Sequence, residues 1–156
     1  MKKVLVILAL AFAAINANAQ FYAGGALSIN GQKDNVIFGL APEIGYNITD
    51  KIAVGVAAPL VFGDGYSIIS VDPYVRYYFL EAGPVRLFAD ANFEFSRTKI
   101  EDFSHNSWGV GIAPGVAVPI SDRFSMVAHF CRIGYYDEAF DFQFNTGSTI
   151  GLYYAF

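Results

Sequence analysis

The chain has 156 residues, 54% apolar and 17% aromatic, with a formal charge of −4. An acidic chain without a basic run argues against nucleic acid as a partner, and its one cysteine, Cys131, cannot form an internal disulfide. The length suits one domain.

The chain opens with "MKKVLVILALAFAAINANA": a basic start, an apolar run and small residues before Gln20. That order predicts a secretory signal peptide over residues 1–19, with cleavage after Ala19. The apolar run is shorter than the roughly 20 residues a spanning helix needs. No cysteine follows the cleavage point, so no lipid anchor is expected there. The mature domain is then 20–156, and loss of Lys2 and Lys3 takes its charge from −4 to −6.

From Gln20 onward, glycines and charges break every apolar stretch, and apolar residues recur at period two. Eight strands are predicted: 21–30, 36–47, 52–63, 68–80, 85–97, 107–118, 124–135 and 144–156. In the second, Phe38, Leu40, Pro42, Ile44 and Tyr46 oppose Gly39, Ala41, Glu43 and Gly45. In the fourth, Val71, Pro73, Val75, Tyr77 and Phe79 oppose Asp72, Tyr74, Arg76 and Tyr78. In the fifth, Leu87, Ala89, Ala91, Phe93 and Phe95 oppose Asp90, Asn92 and Glu94. In the sixth, Trp108, Val110 and Ile112 oppose Gly109, Gly111 and Ala113. One greasy face and one small or charged face is the pattern of strands set between lipid and a polar interior. Most are long enough to cross a bilayer, for which about 9–11 tilted residues suffice.

The connections alternate. "NITDK", "EAGP" and "PISDR" are short turns, whereas "TKIEDFSHN" (98–106) and "YDEAFDFQ" (136–143) predict longer loops at the opposite end. "APEIGYNITDKI" (41–52) and "APGVAVPISDRF" (113–124) repeat one another with identical spacing. They reflect either a duplicated hairpin or convergence of short turns. Successive hairpins predict an all-β, eight-stranded antiparallel up-and-down transmembrane β-barrel.

The closing "IGLYYAF", with Ile150, Leu152, Tyr154 and Phe156 on one face, resembles the C-terminal signature of outer-membrane barrels. Together with "PEIGYNITDKIAVG" and "PYVRYYF" it makes the whole mature chain similar to the small eight-stranded barrels of the OmpA-transmembrane and OmpX type. The resemblance implies that Ile150, Leu152, Tyr154 and Phe156 are read by the barrel-insertion machinery, that the protein lies in the outer membrane of a Gram-negative type envelope, and that its surroundings are outer-membrane lipids and lipopolysaccharide. The chain departs from OmpA in stopping after the barrel. Aromatic girdles are expected at Tyr46, Tyr77 and Phe79 near the short turns and at Phe62 and Trp108 at the other end.

On the inner face, pairing across "LEAGPV" sets Arg76 beside Asp90. A lumen charge network of Glu43, Asp72, Arg76, Asp90 and Glu94 is expected, since an unpaired buried charge is costly. A structural plug is preferred to a conducting path, because an eight-stranded interior is about wide enough for side chains alone. His129 and Cys131, with Glu138 beyond, loosely resemble the rim set of a lipid A hydrolase, but a cysteine stands where a serine is needed. The expectation is no enzyme, no cofactor and no metal; His105, Glu101 and Asp102 read as a solvated loop. The function expected is structural or surface-interacting (envelope integrity, loop-mediated binding), with a partner approached through 98–106 and 136–143. A narrow channel for ions or small solutes and a lipid A-modifying hydrolase are the alternatives.

Overall fold

The computed structural model describes residues 21–32, 35–100, 103–144 and 150–156, with 29–32 and 35–36 as backbone alone. The segment read as a signal peptide lies outside them. Eleven strand segments follow in chain order: β1 (Phe21–Gln32), β2 (Asn35–Asn47), β3 (Ile52–Ala57), β4 (Leu60–Gly63), β5 (Tyr66–Ala82), β6 (Val85–Ile100), β7 (Phe103–Pro119), β8 (Phe124–His129), β9 (Cys131–Tyr136), β10 (Ala139–Phe144) and β11 (Ile150–Ala155). They build a closed eight-stranded antiparallel barrel. β3 with β4, β8 with β9 and β10 with β11 each form one stave, and every pairing is antiparallel. Closure comes from β11 against β1, from Tyr22↔Ala155 to Leu27↔Ile150. The terminal strand therefore has no bare edge over that stretch, and such edges are what a spanning sheet cannot leave open.

Period-two alternation decides which side chains enter. Along β5, Ser70, Tyr74, Arg76 and Tyr78 are buried while Val71, Val75 and Tyr77 are exposed. The core is thus the barrel's own interior: Tyr22, Ala53, Tyr74, Tyr78, Phe88, Ala117, Val127 and Tyr153 form one buried cluster toward the short-turn end. Glycines make room for it. A Cβ on Gly45 would strike the Tyr22 ring, and one on Gly55 the Tyr74 ring, so two strands stay bare where aromatic rings lie across them.

The two similar hairpins coincide bond for bond at an offset of 72 residues. Ile48 N and Thr49 N donate to Ile52 O, as Ile120 N and Ser121 N donate to Phe124 O. Thr49 Oγ1 accepts from Lys51 N and Ile52 N, and Ser121 Oγ from Arg123 N and Phe124 N. Ala58 N donates to Pro42 O, and Phe130 N to Pro114 O. Since Pro42 and Pro114 lack an N–H, neither can return the bond, and the ladder is interrupted at both places.

Beyond that point the two differ. β4 resumes in the register of β3, with Leu40↔Leu60 following Glu43↔Ala57. β9 does not: Gly115 pairs with His129 but Ile112 with Ile133, so an extra residue enters at 130–132. This β-bulge switches the parity of the stave. Ser125, Val127 and His129 face inward before it, and Arg132, Gly134 and Tyr136 after it. A second irregularity, between Tyr78 and Leu80, inserts Phe79.

The expected loops need correction. β6 and β7 stay paired out to Ile100↔Phe103, so 98–106 is two strand ends around residues 101–102, which lie outside the described part. Likewise 136–143 is the tip of a hairpin, with Tyr136↔Ala139 around Asp137–Glu138. The polar residues there hid an alternation that continues past the membrane-length part of the strands. A ribbon standing above the barrel is wetted on both faces, so it need not alternate apolar with polar.

Candidate functional site: the charged lumen

Arg76 sits at the middle of β5 on the inner face, 1% exposed. Antiparallel register puts Asp90 of β6 directly opposite. The guanidinium donates twice to it, Nε to Oδ1 at 2.7 Å and Nη2 to Oδ2 at 2.8 Å. This fork is the strong, oriented form of the ion pair. Nη2 also reaches Glu43 Oε1 at 3.4 Å, and the guanidinium lies 4.2 Å from the centre of the Phe88 ring. His129 Nε2 is 2.8 Å from Asp90 Oδ2.

Glu43 is held mainly by tyrosines. Tyr153 donates to Oε2 at 2.5 Å and Tyr74 donates to Oε1. Tyr22 and Tyr74 share a hydroxyl contact at 2.5 Å. Two carboxylates, one guanidinium, one imidazole and three phenols thus form a continuous layer across the lumen. A buried ion pair survives when its remaining lone pairs find donors, and here they do.

A second group lies nearer the long-hairpin end. Asn92 donates to Asp72 at 2.9 Å. Arg132 Nη1 donates to Glu94 Oε2 at 2.5 Å, and Ser70 to Glu94 Oε1 at 3.4 Å. The Arg132 guanidinium stacks 4.1 Å over Tyr136. Of the five residues expected in one network, Glu43, Arg76 and Asp90 meet. Asp72 and Glu94 belong to this other group, Glu94 with Arg132 in place of Arg76. Sequence reading missed Arg132 because the bulge at 130–132 turns it inward. It also missed Tyr22, Phe88 and Tyr153 as lumen partners, although their parity places them there.

The Arg76 layer separates two cavities. Toward the long hairpins lies one of about 260 Å³, lined by Glu43, Asp72, Asp90, His129 and Cys131 among others. Toward the short turns lies one of about 210 Å³, lined by Tyr22, Arg76, Tyr78 and Arg86. Arg86 guards that second mouth: it lies 3.8 Å over the Tyr78 ring, pairs with Glu81 at 3.0 Å and donates to Asp50 O.

The remaining sites are placed as follows. Ile150 and Leu152 are exposed on the outer face. Tyr154 packs on Phe124 and Phe156, with ring centres 5.0 and 5.1 Å apart. Phe156 N donates to Phe21 O at 3.0 Å. Tyr46 lies against Phe21, with ring centres 4.7 Å apart. Tyr77, Phe79, Phe62 and Trp108 are all exposed on the outside. His129 and Cys131 line the larger cavity. Glu138 lies in the β9–β10 turn, where its carbonyl accepts from Tyr135. His105 Nε2 lies 3.3 Å from Asp137 Oδ1 at the exposed hairpin tips. Among the described residues no group of three or more His, Cys, Asp or Glu is arranged to hold a metal.

An outward apolar sheath, a closed eight-stranded sheet and a charged interior define an outer-membrane type of barrel. The chain belongs to the family of the outer membrane protein beta-barrel domain, whose model matches residues 4–156. It is similar in fold to the N-terminal β-barrel domain of OprF from Pseudomonas aeruginosa, at 16% identity and a TM-score of 0.60, over 88% of this chain and 98% of that one. It is equally similar to Neisserial surface protein A, at 18% identity and a TM-score of 0.60, over 88% of this chain and 95% of that one. No curated protein sequence matches the chain.

Proposed function

We propose that the protein is an integral outer-membrane barrel with a structural or surface-interacting role, its lumen closed by the Arg76 layer. The observation that carries this reading is the continuity of that layer: Arg76, Glu43, Asp90, Tyr74 and Tyr153 bond to one another across the full width of the interior. Interlocked charges of this kind fill a lumen and do not line a water column. With the lumen closed at that layer, contacts with partners fall to the outer wall and to the hairpins beyond Ser96 and Tyr136. Outer-membrane lipid, lipopolysaccharide and the barrel-insertion machinery are the proposed partners, and the protein is read as acting without enzymatic chemistry. The purified protein in planar bilayers should give no steady porin-sized openings. Steady openings of that size would defeat the closed-lumen reading.

A second reading, a narrow channel for ions or small solutes, draws support from the cavities of about 260 and 210 Å³ on either side of one layer. It predicts brief, small conductance steps whose frequency changes in Arg76→Lys. The hydrolase reading draws no support from geometry, since His129 and Cys131 line the lumen cavity and not the lipid-facing wall.

A further inference from the structure

The outer wall carries one feature that the lumen does not explain. On the outward face of β5, β6 and β7, register aligns three successive rows: Val71, Phe95 and Trp108; then Ile69, Arg97 and Asn106; then Ser67, Lys99 and Ser104. The first row is exposed and wholly apolar. Arg97 stands about 7 Å further along its strand, given the strand rise of about 3.4 Å per residue, and Lys99 as far again. Ser67, Ile69, Arg97, Lys99 and Ser104 enclose a shallow cavity of about 350 Å³. Of the five arginines, Arg76, Arg86, Arg123 and Arg132 each donate to an oxygen. Arg97 makes no hydrogen bond or ion pair among the described residues, and neither does the Lys99 ammonium. Glu101 and Asp102 lie outside those residues.

We infer that Arg97 and Lys99, flanked by Ser67 and Ser104, bind a phosphate of an outer-leaflet lipid, the phosphorylated glycolipid of the outer membrane. This rests on the outer-membrane reading above. A guanidinium fork and an ammonium, with two hydroxyls beside them, form a donor set suited to a phosphate monoester or diester. Their location favours a lipid phosphate over a free one. The basic rows are continuous with the Val71, Phe95 and Trp108 row, where lipid chains meet an aromatic girdle. A lipid gripped by its phosphate at Arg97 and Lys99 lays its chains along that apolar row, a contact that a free anion cannot make.

Trp108 is the sole tryptophan of the chain, and it lies in the row directly beneath the site, so its fluorescence reports occupancy. The full protein is folded into phosphatidylcholine liposomes and titrated with bisphosphorylated lipid A. Arg97→Gln/Lys99→Gln should raise the apparent Kd about tenfold or more, because both charge-assisted donors to the phosphate are lost. Dephosphorylated lipid A should bind the unaltered protein as weakly. Lys51→Gln/Arg123→Gln, which removes the same charge at the opposite end, should bind normally. Arg97→Lys keeps the charge and loses the fork, and should weaken binding by a smaller factor; it serves if the double variant folds poorly. Equal binding by Arg97→Gln/Lys99→Gln, equal binding of dephosphorylated lipid, or the same loss in Lys51→Gln/Arg123→Gln would each overturn the site. Displacement of lipid A by equimolar inorganic phosphate would also overturn it, because the site would then take free anions. Failure of the protein to enter liposomes would instead defeat the outer-membrane reading.

Discussion

At the scale of single residues, Arg76 carries the largest electrostatic stake. Its partners Asp90 and Glu43 are buried with it, so truncating it strands two carboxylates away from water. Removing one member of a buried pair costs about 3–5 kcal/mol, and Arg76→Ala should lower unfolding free energy by about that amount. Arg76→Ala/Asp90→Ala should cost clearly less than the sum of the two single changes. Urea titration of the folded barrel in micelles measures all three, and additive costs would show that the pair is not coupled. Arg76, Asp90 and Glu43 were legible in sequence because all three lie on the alternating inner face at matching distances from short turns. Arg132 was not, since a bulge is set by local backbone geometry and leaves no period-two signal. The pairing of Glu94 with Arg132 in place of Arg76 follows from that one inserted residue.

At the scale of elements, the two hairpins at offset 72 show how much a turn depends on a few atoms. Thr49 and Ser121 differ by a methyl group, yet each hydroxyl accepts from the same two backbone N–H groups. Thr49→Ser/Lys51→Arg rebuilds the first turn as the second. It should leave stability within about 0.5 kcal/mol, the range of neutral surface changes. Thr49→Ala removes the acceptor and should cost about 0.5–1.5 kcal/mol, the usual net worth of such a bond. Equal unfolding midpoints for Thr49→Ala and the unaltered protein would show that the hydroxyl contributes nothing. The far hairpin of β9 and β10 is built less favourably. Asp137 and Glu138 hold φ of 50° and 65°, where a glycine at the second position would be unstrained. Glu138→Gly relieves about 1–2 kcal/mol of left-handed strain against about 0.5–1 kcal/mol of extra chain entropy. A small net stabilisation of that tip is expected, read as slower amide exchange at Ala139. Faster exchange there would mean that the hairpin geometry differs from the one described. The eight staves and their faces were legible because burial imposes period two on every membrane-length segment. The hairpin ends were not, because the ribbon beyond the barrel has no lipid on one side to impose it.

At the scale of the whole molecule, the outward face poses a choice between lipid and water. Leu27, Ile44, Val75, Ile112, Met126 and Leu152 are exposed on six different staves. A wall so apolar all round is unstable in water and aggregates, whereas lipid covers it at no such cost. The two solvents respond oppositely to a charge placed on the wall. In water, Ala91→Arg on the outer face of β6 is a neutral surface change. In a bilayer, arginine near the midplane costs about 2–4 kcal/mol, falling to about 0–1 near the interface. Ala91 lies outward between Leu87, toward the short-turn end of β6, and Phe95, in the row of Trp108. It therefore lies between the two girdles, about 7 Å along the strand from the Tyr77 row and about 14 Å from the Trp108 row. Asn106, also outward and exposed, lies beyond Trp108. With unfolding free energies measured by urea titration in phosphocholine bilayers, Ala91→Arg should lose about 2–4 kcal/mol and Asn106→Arg about 0–1. Lumen substitutions cannot mimic this dependence on depth, because neither side chain touches the Arg76 layer. If Ala91→Arg costs no more than Asn106→Arg, the apolar sheath does not face a hydrocarbon core, and the barrel's wall must be covered by something other than a membrane.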